Sequence, residues 1–410
     1  MRRKGLLMIS KQLPNLLGST IWDAVVVGAG PAGSAVAARL QRGQKNVLLV
    51  DRRNGSFQKL CGCCLSPKAN AELEALSVDL AAEDIPPIPL KHCTFQTASG
   101  ALQLGLSHMA VMSRERLDAL LIAKAVESGV EYQGGTKINR IEWDQTSNLR
   151  LLHAELKSPQ HAFRATIRSR TVIDASGLPA TSRARSKNQL FASRIGIGAV
   201  LRDDHFALEP GHLKMLIAPW GYCGLVRLEN NCVDIAAAVD LRILKRRSPW
   251  QAVAEIFDHT CHAPPTHLST AAFIGKPHLT RRSPLFDQRC YRVGDAAGYV
   301  EPLTGEGIGW ALRGARELAG AFEQVDLDRP DAVLQIGLRY RRGYWAATRR
   351  DFHRCRLLTL AVRNRRLWDL TMKVSRRVPA LVHRIFPHAT LQPSHDGRHP
   401  VLSLSDGGEP

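Results

Sequence analysis

Asp23-Ala24-Val25-Val26-Val27-Gly28-Ala29-Gly30-Pro31-Ala32-Gly33 decides the fold of this chain. A short apolar strand runs straight into Gly-x-Gly-x-x-Gly, and an Ala-rich helix follows over Ser34 to Leu40. The next apolar run, Asn46 to Val50, ends in Asp51. Strand, glycine turn, helix and acidic strand end make the phosphate-cradling opening of a dinucleotide-binding βαβ unit. Gly28 permits the tight turn, Gly30 lets a pyrophosphate approach the backbone, and Gly33 lets helix and strand pack closely. Pro31 and Ala32 lie inside the same turn and join the site. The helix N-terminus turns free N–H groups and a positive dipole end toward the phosphates. Asp51, with Arg52 beside it, is placed to bind ribose hydroxyls. A chance glycine-rich turn would not predict Asp51.

The bulk numbers are compatible with that reading. A length of 410 residues suits one large or two interleaved domains. Hydrophobic content of 44% and charged content of 23% are those of a globular protein. Apolar runs fall far short of the roughly 20 residues that span a bilayer. The start, Met1 to Ser10, is basic and then briefly apolar, without the long apolar stretch or cleavage site of a signal peptide. Nine cysteines, odd in number and unevenly spaced, do not form a secreted disulfide framework, so a reduced cytoplasm is the expected compartment. The net charge of +19 creates a field that attracts phosphorylated cofactors, acidic lipid or nucleic acid.

Local patterns place the remaining elements. Ser66 and Pro67 open a helix to about residue 76, and Ser113 caps another over 113–129 with Leu117, Leu120, Leu121 and Ala125 on one face. Segments 149–157 and 162–168 read as a hairpin, and Thr171 to Ala175 as a buried strand. Residues 190–280 are mostly β, with a helix from Pro249 to His259. The strand Cys290 to Val293 leads into Gly294-Asp295-Ala296-Ala297-Gly298, and a helix starts near Gly305. From Pro330 onward the pattern is helical, and the stretch after Leu391 has the composition of a flexible tail.

Three motifs stand in order: Gly28-x-Gly30-x-x-Gly33, Arg114 within Ser113-Arg114-Glu115-Arg116-Leu117-Asp118, and Gly294-Asp295 followed by Pro302-Leu303-Thr304-Gly305-Glu306-Gly307. Over residues 21–325 the chain resembles the flavoprotein superfamily of aromatic-ring hydroxylases and geranylgeranyl reductases. The resemblance implies FAD, with its pyrophosphate on Gly28, Gly30 and Gly33 and its adenosine ribose on Asp51. It implies that Arg114 lies against the phosphates or ribityl chain, that Asp295 accepts a bond from the ribityl chain, and that Leu303 to Gly307 face the flavin pyrimidine edge. A helix N-terminus there would offer N–H donors to a reduced, anionic flavin. Asp174-Ala175-Ser176-Gly177 is closer to the reductase and halogenase branches than to the aromatic hydroxylases. The stretch Pro219-Trp220-Gly221-Tyr222-Cys223-Gly224 lacks the tryptophan-rich signature of flavin-dependent halogenases, so halogenation is not expected.

The implied fold class is α/β. A discontinuous Rossmann-like FAD-binding domain covers 21–85, 110–180 and 280–325. An inserted β-sheet substrate domain covers 86–109 and 181–279, a helical region covers 326–390, and 1–20 and 391–410 are expected to be flexible. The flavin would lie between the FAD domain and the inserted sheet. One expected reaction is monooxygenation of a hydrophobic or aromatic metabolite driven by NADH or NADPH, which would bind transiently because no second Gly-x-Gly-x-x-Gly is present. The alternative is reduction of carbon–carbon double bonds in a prenyl lipid. A non-catalytic flavin-binding protein is the third reading, disfavoured by the intact Arg114, Asp295 and Gly305–Gly307 positions.

No side chain is assigned as proton donor; Cys61 and Tyr222 are the catalytic candidates. Lys59-Leu60-Cys61-Gly62-Cys63-Cys64 resembles a Cys-Gly loop of the reductase-like proteins close to the flavin ring. It reads as a small-residue loop first, a redox thiol second and a metal site last, since no second Cys or Cys/His pair lies at ligand spacing. Tyr222 and Trp220 read equally as pocket lining or core. The tail interleaves Arg341, Arg342, Arg349, Arg350, Arg354 and Arg356 with Trp345, Leu357, Leu360 and Trp368. Peripheral contact with anionic membrane competes there with plain solvated helix faces, and no nucleic-acid partner is expected.

Overall fold

The computed structural model describes residues 19–55, 59, 63–157, 162–177, 194–203, 205–276, 279–301, 303–323, 325–377 and 388–391. Strand β1 (Ile21–Val27) is the centre of the first sheet. It lies parallel to β2 (Val47–Val50) on one side and β9 (Ala162–Asp174) on the other. Next to β2 stands β6 (Glu131–Gln133), and next to β9 stands β17 (Cys290–Arg292), both parallel. The short β16 (Phe286–Asp287) closes that edge against β17. Strands buried on both faces read as continuous apolar runs, which is why Ala24 to Val27 and Val47 to Val50 carry no alternation.

Helices α1 (Pro31–Arg42), α3 (Arg114–Glu127) and α6 (Gly307–Phe322) cover one face, burying Ala24, Val26 and Leu49 with Leu117, Leu121, Leu312 and Leu318. The opposite face is covered by an antiparallel meander of β7 (Thr136–Asp144), β8 (Leu149–Lys157) and the first half of β9. Val25, Leu48 and Val50 pack there on Ile138, Leu152 and Leu156. The hairpin and the buried strand of the sequence reading are thus joined: 162–174 is one strand. The register partner β7 carried no sequence signal strong enough to be read.

The second sheet is assembled from separated stretches. Its order is β14 (Ile274–Lys276), β10 (Ile195–Arg202), β13 (Cys232–Val239), β12 (Gly221–Arg227), β11 (His212–Ala218), β4 (Ile88–Thr97), β5 (Gly100–Val111) and β19 (Ala389–Leu391). The two-residue β3 (Cys64–Leu65) pairs with β5 as the chain passes to α2 (Pro67–Ala75). A further small pair joins β15 (Arg281–Arg282) to β18 (Gly298–Tyr299). After the single turn α4 (Leu241–Leu244), α5 (Pro249–His259) lies under one face of this sheet and buries Ile256 and Phe257 against Leu216, Leu225, Val233 and Ile235.

The other face meets the loop 299–305 and two C-terminal helices, α7 (Ala332–Arg363) and α8 (Arg365–Arg377). Ser66 and Ser113 cap α2 and α3, as their sequence positions predict, and Ser248 caps α5. Helix α6 begins at Gly307, two residues after the expected start near Gly305. Residues 389–391 form a strand on β5 where the sequence showed only helix and tail. Residues 1–18 and 392–410 lie outside the described residues.

Candidate functional site

The first glycine turn is held by sterics. Gly28 has φ +108°, and a Cβ on it would lie 2.5 Å from the Ala175 carbonyl oxygen. A Cβ on Gly33 would lie 1.8 Å from the Gly28 carbonyl oxygen. Pro31 starts α1 without an N–H, and Ala32 is buried behind it. Asp51 ties the turn to the end of β2: Ala29 N–H donates to its Oδ2 at 2.8 Å and Arg53 N–H to its Oδ1 at 3.0 Å. Arg52 is exposed beside it.

Gly30 differs from its neighbours. The nearest atoms to a Cβ on it are Lys59 Nζ at 3.4 Å and Arg114 Nη2 at 3.9 Å. These two cations share one buried carboxylate, with Lys59 Nζ 2.6 Å from Asp118 Oδ2 and Arg114 Nη2 3.0 Å from Asp118 Oδ1. Burial pushes the Lys59 ammonium below the ordinary lysine value, and Asp118 opposes that shift. The cluster keeps one excess positive charge over the helix N-terminus, which suits a pyrophosphate. Asp118 was missed in the sequence, although its position four residues after Arg114 on a helix was a readable sign of pairing.

The second motif folds onto the first. Gly294 has φ +61°, and a Cβ there would be 2.8 Å from the Ala32 side chain. Its turn sets Asp295 beside the α1 N-terminus, 3.9 Å from Lys276 Nζ across the gap to the second sheet. Gly305 has φ +70°, and a Cβ on it would lie 3.2 Å from the Cys64 Cβ. Gly307 begins α6, and a Cβ on it would meet open space. Glu306 sits between them; burial and then the nearby Asp351 carboxylate hold its carboxyl above the usual range. Ser66 Oγ donates to its Oε2 at 3.0 Å. Cys61 and Pro302 fall outside the described residues. Cys63 and Cys64 are buried, and Cys63 has φ +53°.

A small cavity of about 90 Å³ opens between this loop and the second sheet. Strand alternation builds its floor. Register pairs Tyr222 with Ala238, Gly224 with Ala236 and Val226 with Asp234, so these six residues share one face. Four of the floor positions are small (Gly196, Gly224, Ala236 and Ala238), and the hollow follows from their size. Leu213, Met215 and Val226 wall it, while Tyr299, Leu303, Gly305 and Cys64 close the opposite side. The polar groups lining it include Asp234, Tyr222, Tyr299 and Lys276. Asp234 is 3% exposed. Burial above all, and then the Glu301 carboxylate, raise the Tyr222 phenol well above its ordinary value, so it stays a neutral donor. Trp220 takes no part: its ring packs 5.0 Å from His259 at the α5 side of the sheet. Asp234 was missed by sequence reading, though a lone carboxylate in Val233-Asp234-Ile235-Ala236 was the available signal.

The loop 299–305 is anchored by charges deep in the protein. Glu301 and Arg194 are both 0% exposed. Arg194 Nη1 donates to Glu301 Oε1 at 3.2 Å, and Arg363 Nη2 to Oε2 at 2.8 Å. Arg194 Nε also donates to Asp240 Oδ1 at 3.3 Å.

A nucleotide cradle, a second acidic turn folded against it and a cavity behind both define a flavin-dependent oxidoreductase. Residues 22–216 match the FAD binding domain family. A menaquinone reductase of Mycobacterium tuberculosis is 27% identical over 356 residues, covering 80% of this chain and 82% of the relative. Digeranylgeranylglycerophospholipid reductase 1 of Methanothermobacter thermautotrophicus is 24% identical over 333 residues, covering 76% of this chain and 79% of the relative. A solved flavin-dependent brominase superposes with a TM-score of 0.68 at 17% identity, covering 90% of this chain and 93% of that one. The chain carries an FAD binding domain over residues 22–216, and it is similar to FAD-dependent oxidoreductases of the superfamily that its motifs resemble. The residues around Gly30 fit FAD: a backbone face without Cβ, two cations and a helix N-terminus converge there.

Removing either cation leaves Asp118 half-paired beside the phosphate position. Arg114→Ala and Lys59→Ala are each expected to weaken FAD affinity at least tenfold, from a lost charged hydrogen bond of about 1.5–3 kcal/mol. Titration of apoprotein with FAD, read by quenching of flavin fluorescence, checks this; unchanged affinity in both variants would move the pyrophosphate elsewhere.

Proposed function

We propose that this enzyme hydroxylates a hydrophobic phenolic metabolite, using molecular oxygen and electrons from NADH or NADPH. The observation that carries the reading is Asp234, the one carboxylate among the described residues that line a mostly apolar cavity facing the loop 299–305. FAD, when bound, supplies hydride acceptance and oxygen activation. The protein's own groups do the rest. The apolar walls take the ring and exclude water. Asp234 accepts the phenolic O–H bond and draws the proton toward itself, which raises electron density on the ring carbons that are to be hydroxylated. Tyr222, kept neutral by burial, donates to a substrate oxygen. The N–H groups opening α6 at Gly307 face the flavin-side loop, where they stabilise negative charge. One substrate C–H, one O₂, one NAD(P)H and one proton give C–OH, water and NAD(P)⁺. The nicotinamide donor docks transiently at the flavin edge.

The test uses the purified holoprotein with NADPH, ¹⁸O₂ and a panel of alkyl-substituted phenols. The expected product gains one ¹⁸O atom. Asp234→Asn is expected to lower kcat/KM about a hundredfold at unchanged flavin content. A second reading rests on the two relatives named as reductases, one of menaquinone and one of a digeranylgeranyl lipid. If the phenols are untouched and a prenyl lipid gains two hydrogens without ¹⁸O, that reading replaces the first.

A further inference from the structure

Helix α7 carries eight arginines and one carboxylate over its 32 residues. That carboxylate, Asp351, is buried and engaged by Lys68 and Arg313. The outer face therefore bears one sign of charge. Arg341, Arg342, Arg349, Arg350 and Arg356 are all exposed on it.

The same face is also apolar. Seven of the fifteen large hydrophobic side chains exposed on the described residues belong to α7 and α8. Trp345 is 45% exposed, Leu357 67% and Leu360 51% on α7, and Leu370 55% on α8. Leu338, Trp345, Arg349, Arg356 and Leu360 recur at helical spacing, so apolar and cationic groups share one stripe. The inner sides are unlike it. Leu358, Val362 and Trp368 are buried in one cluster with Met215, Tyr222 and Leu303, which are residues of the cavity wall.

We propose that the outer face of α7 and α8 docks on an anionic lipid bilayer. Leucine and tryptophan side chains would enter the boundary between headgroups and acyl chains, while the arginines pair with lipid phosphates. At 1.5 Å per residue α7 lies about 48 Å along such a surface. Neither helix is long and apolar enough to cross it. A nucleic acid would use the arginines and leave the leucines in water, whereas a bilayer takes both. The docked helix pair packs directly behind the cavity-lining Met215, Tyr222 and Leu303, so a lipophilic substrate would have its source near the site.

The test is co-sedimentation of the holoprotein with vesicles of phosphatidylcholine alone or mixed with phosphatidylglycerol. No turnover is read, so the outcome is separable from the identity of the reaction. Binding to the mixed vesicles is expected, with loss at high salt. Each of Arg341→Gln, Arg342→Gln, Arg349→Gln and Arg350→Gln should cut partitioning about fivefold. Leu357→Glu combined with Leu360→Glu should abolish it at unchanged FAD occupancy, which confirms that the variant is folded. No binding to the mixed vesicles overturns the proposal. So does binding that the double glutamate variant retains, or a preference for single-stranded RNA over vesicles that this variant leaves intact.

Discussion

Gly33→Val is expected to give aggregated protein without flavin, and Gly30→Val a folded protein that is colourless. The two glycines belong to one motif and differ in what faces them. At Gly33 a side chain would overlap the Gly28 carbonyl oxygen, 1.8 Å from the Cβ position, and crowd Ala175 at 3.1 Å. Both obstacles belong to the chain's own core, where α1 crosses β1 and β9, and neither can withdraw. A cost above about 4 kcal/mol follows, enough to unfold many proteins of ordinary stability. At Gly30 the obstacles are the tips of Lys59 and Arg114, which are long and can move. The apoprotein accommodates valine there. A pyrophosphate seated on this turn would be displaced, because it would have to reach the backbone and both cations. Loss of two charged hydrogen bonds at about 1.5–3 kcal/mol each predicts a drop in FAD affinity of a hundredfold or more. Circular dichroism with flavin absorbance separates the outcomes; a well-folded, yellow Gly30→Val protein would remove the assignment.

Glu301→Ala is expected to be the most destabilising change away from the glycine turns. It leaves Arg194, fully buried, with Asp240 and the Pro219 carbonyl, and takes the Glu301 carboxylate from Arg363. Breaking one partner of a buried ion pair costs about 3–5 kcal/mol. Arg194→Met with Glu301→Leu is expected to recover most of that loss, since no buried charge is then stranded. Urea unfolding of the three variants reads the energies. Additive losses in the double variant would show that the two groups act separately and that the loop 299–305 is held by something else.

The nucleotide half of the protein was legible because its constraints are local. A tight turn, a close approach and a strand end each leave a residue type at a fixed place, as Gly28, Gly33 and Asp51 do. The second sheet was legible as strands but not as a surface. Its cavity depends on which residues of β11, β12 and β13 stand opposite one another, and register is set by partners far apart in the chain. Asp234 and Tyr222 come onto one face of the sheet only once β12 and β13 are paired. The Arg194–Glu301 pair joins positions separated by 107 residues, and nothing near either residue announces the other. Strand β7 was missed because its residues Thr136 to Asp144 alternate weakly, with polar groups on both faces.

The second sheet draws its strands from residues 64–65, 88–111, 195–239, 274–276 and 389–391, with the nucleotide-binding elements threaded between them. Its modularity is therefore only spatial. No single cut in the polypeptide yields the second sheet as a unit, and its edge strand β19 joins only after nearly the whole chain has been synthesised. Such a gene cannot exchange one half by simple recombination at a boundary. Diversification of what the cavity accepts has to come from point changes on the floor, at positions such as Gly224 and Ala236, rather than from shuffling of domains.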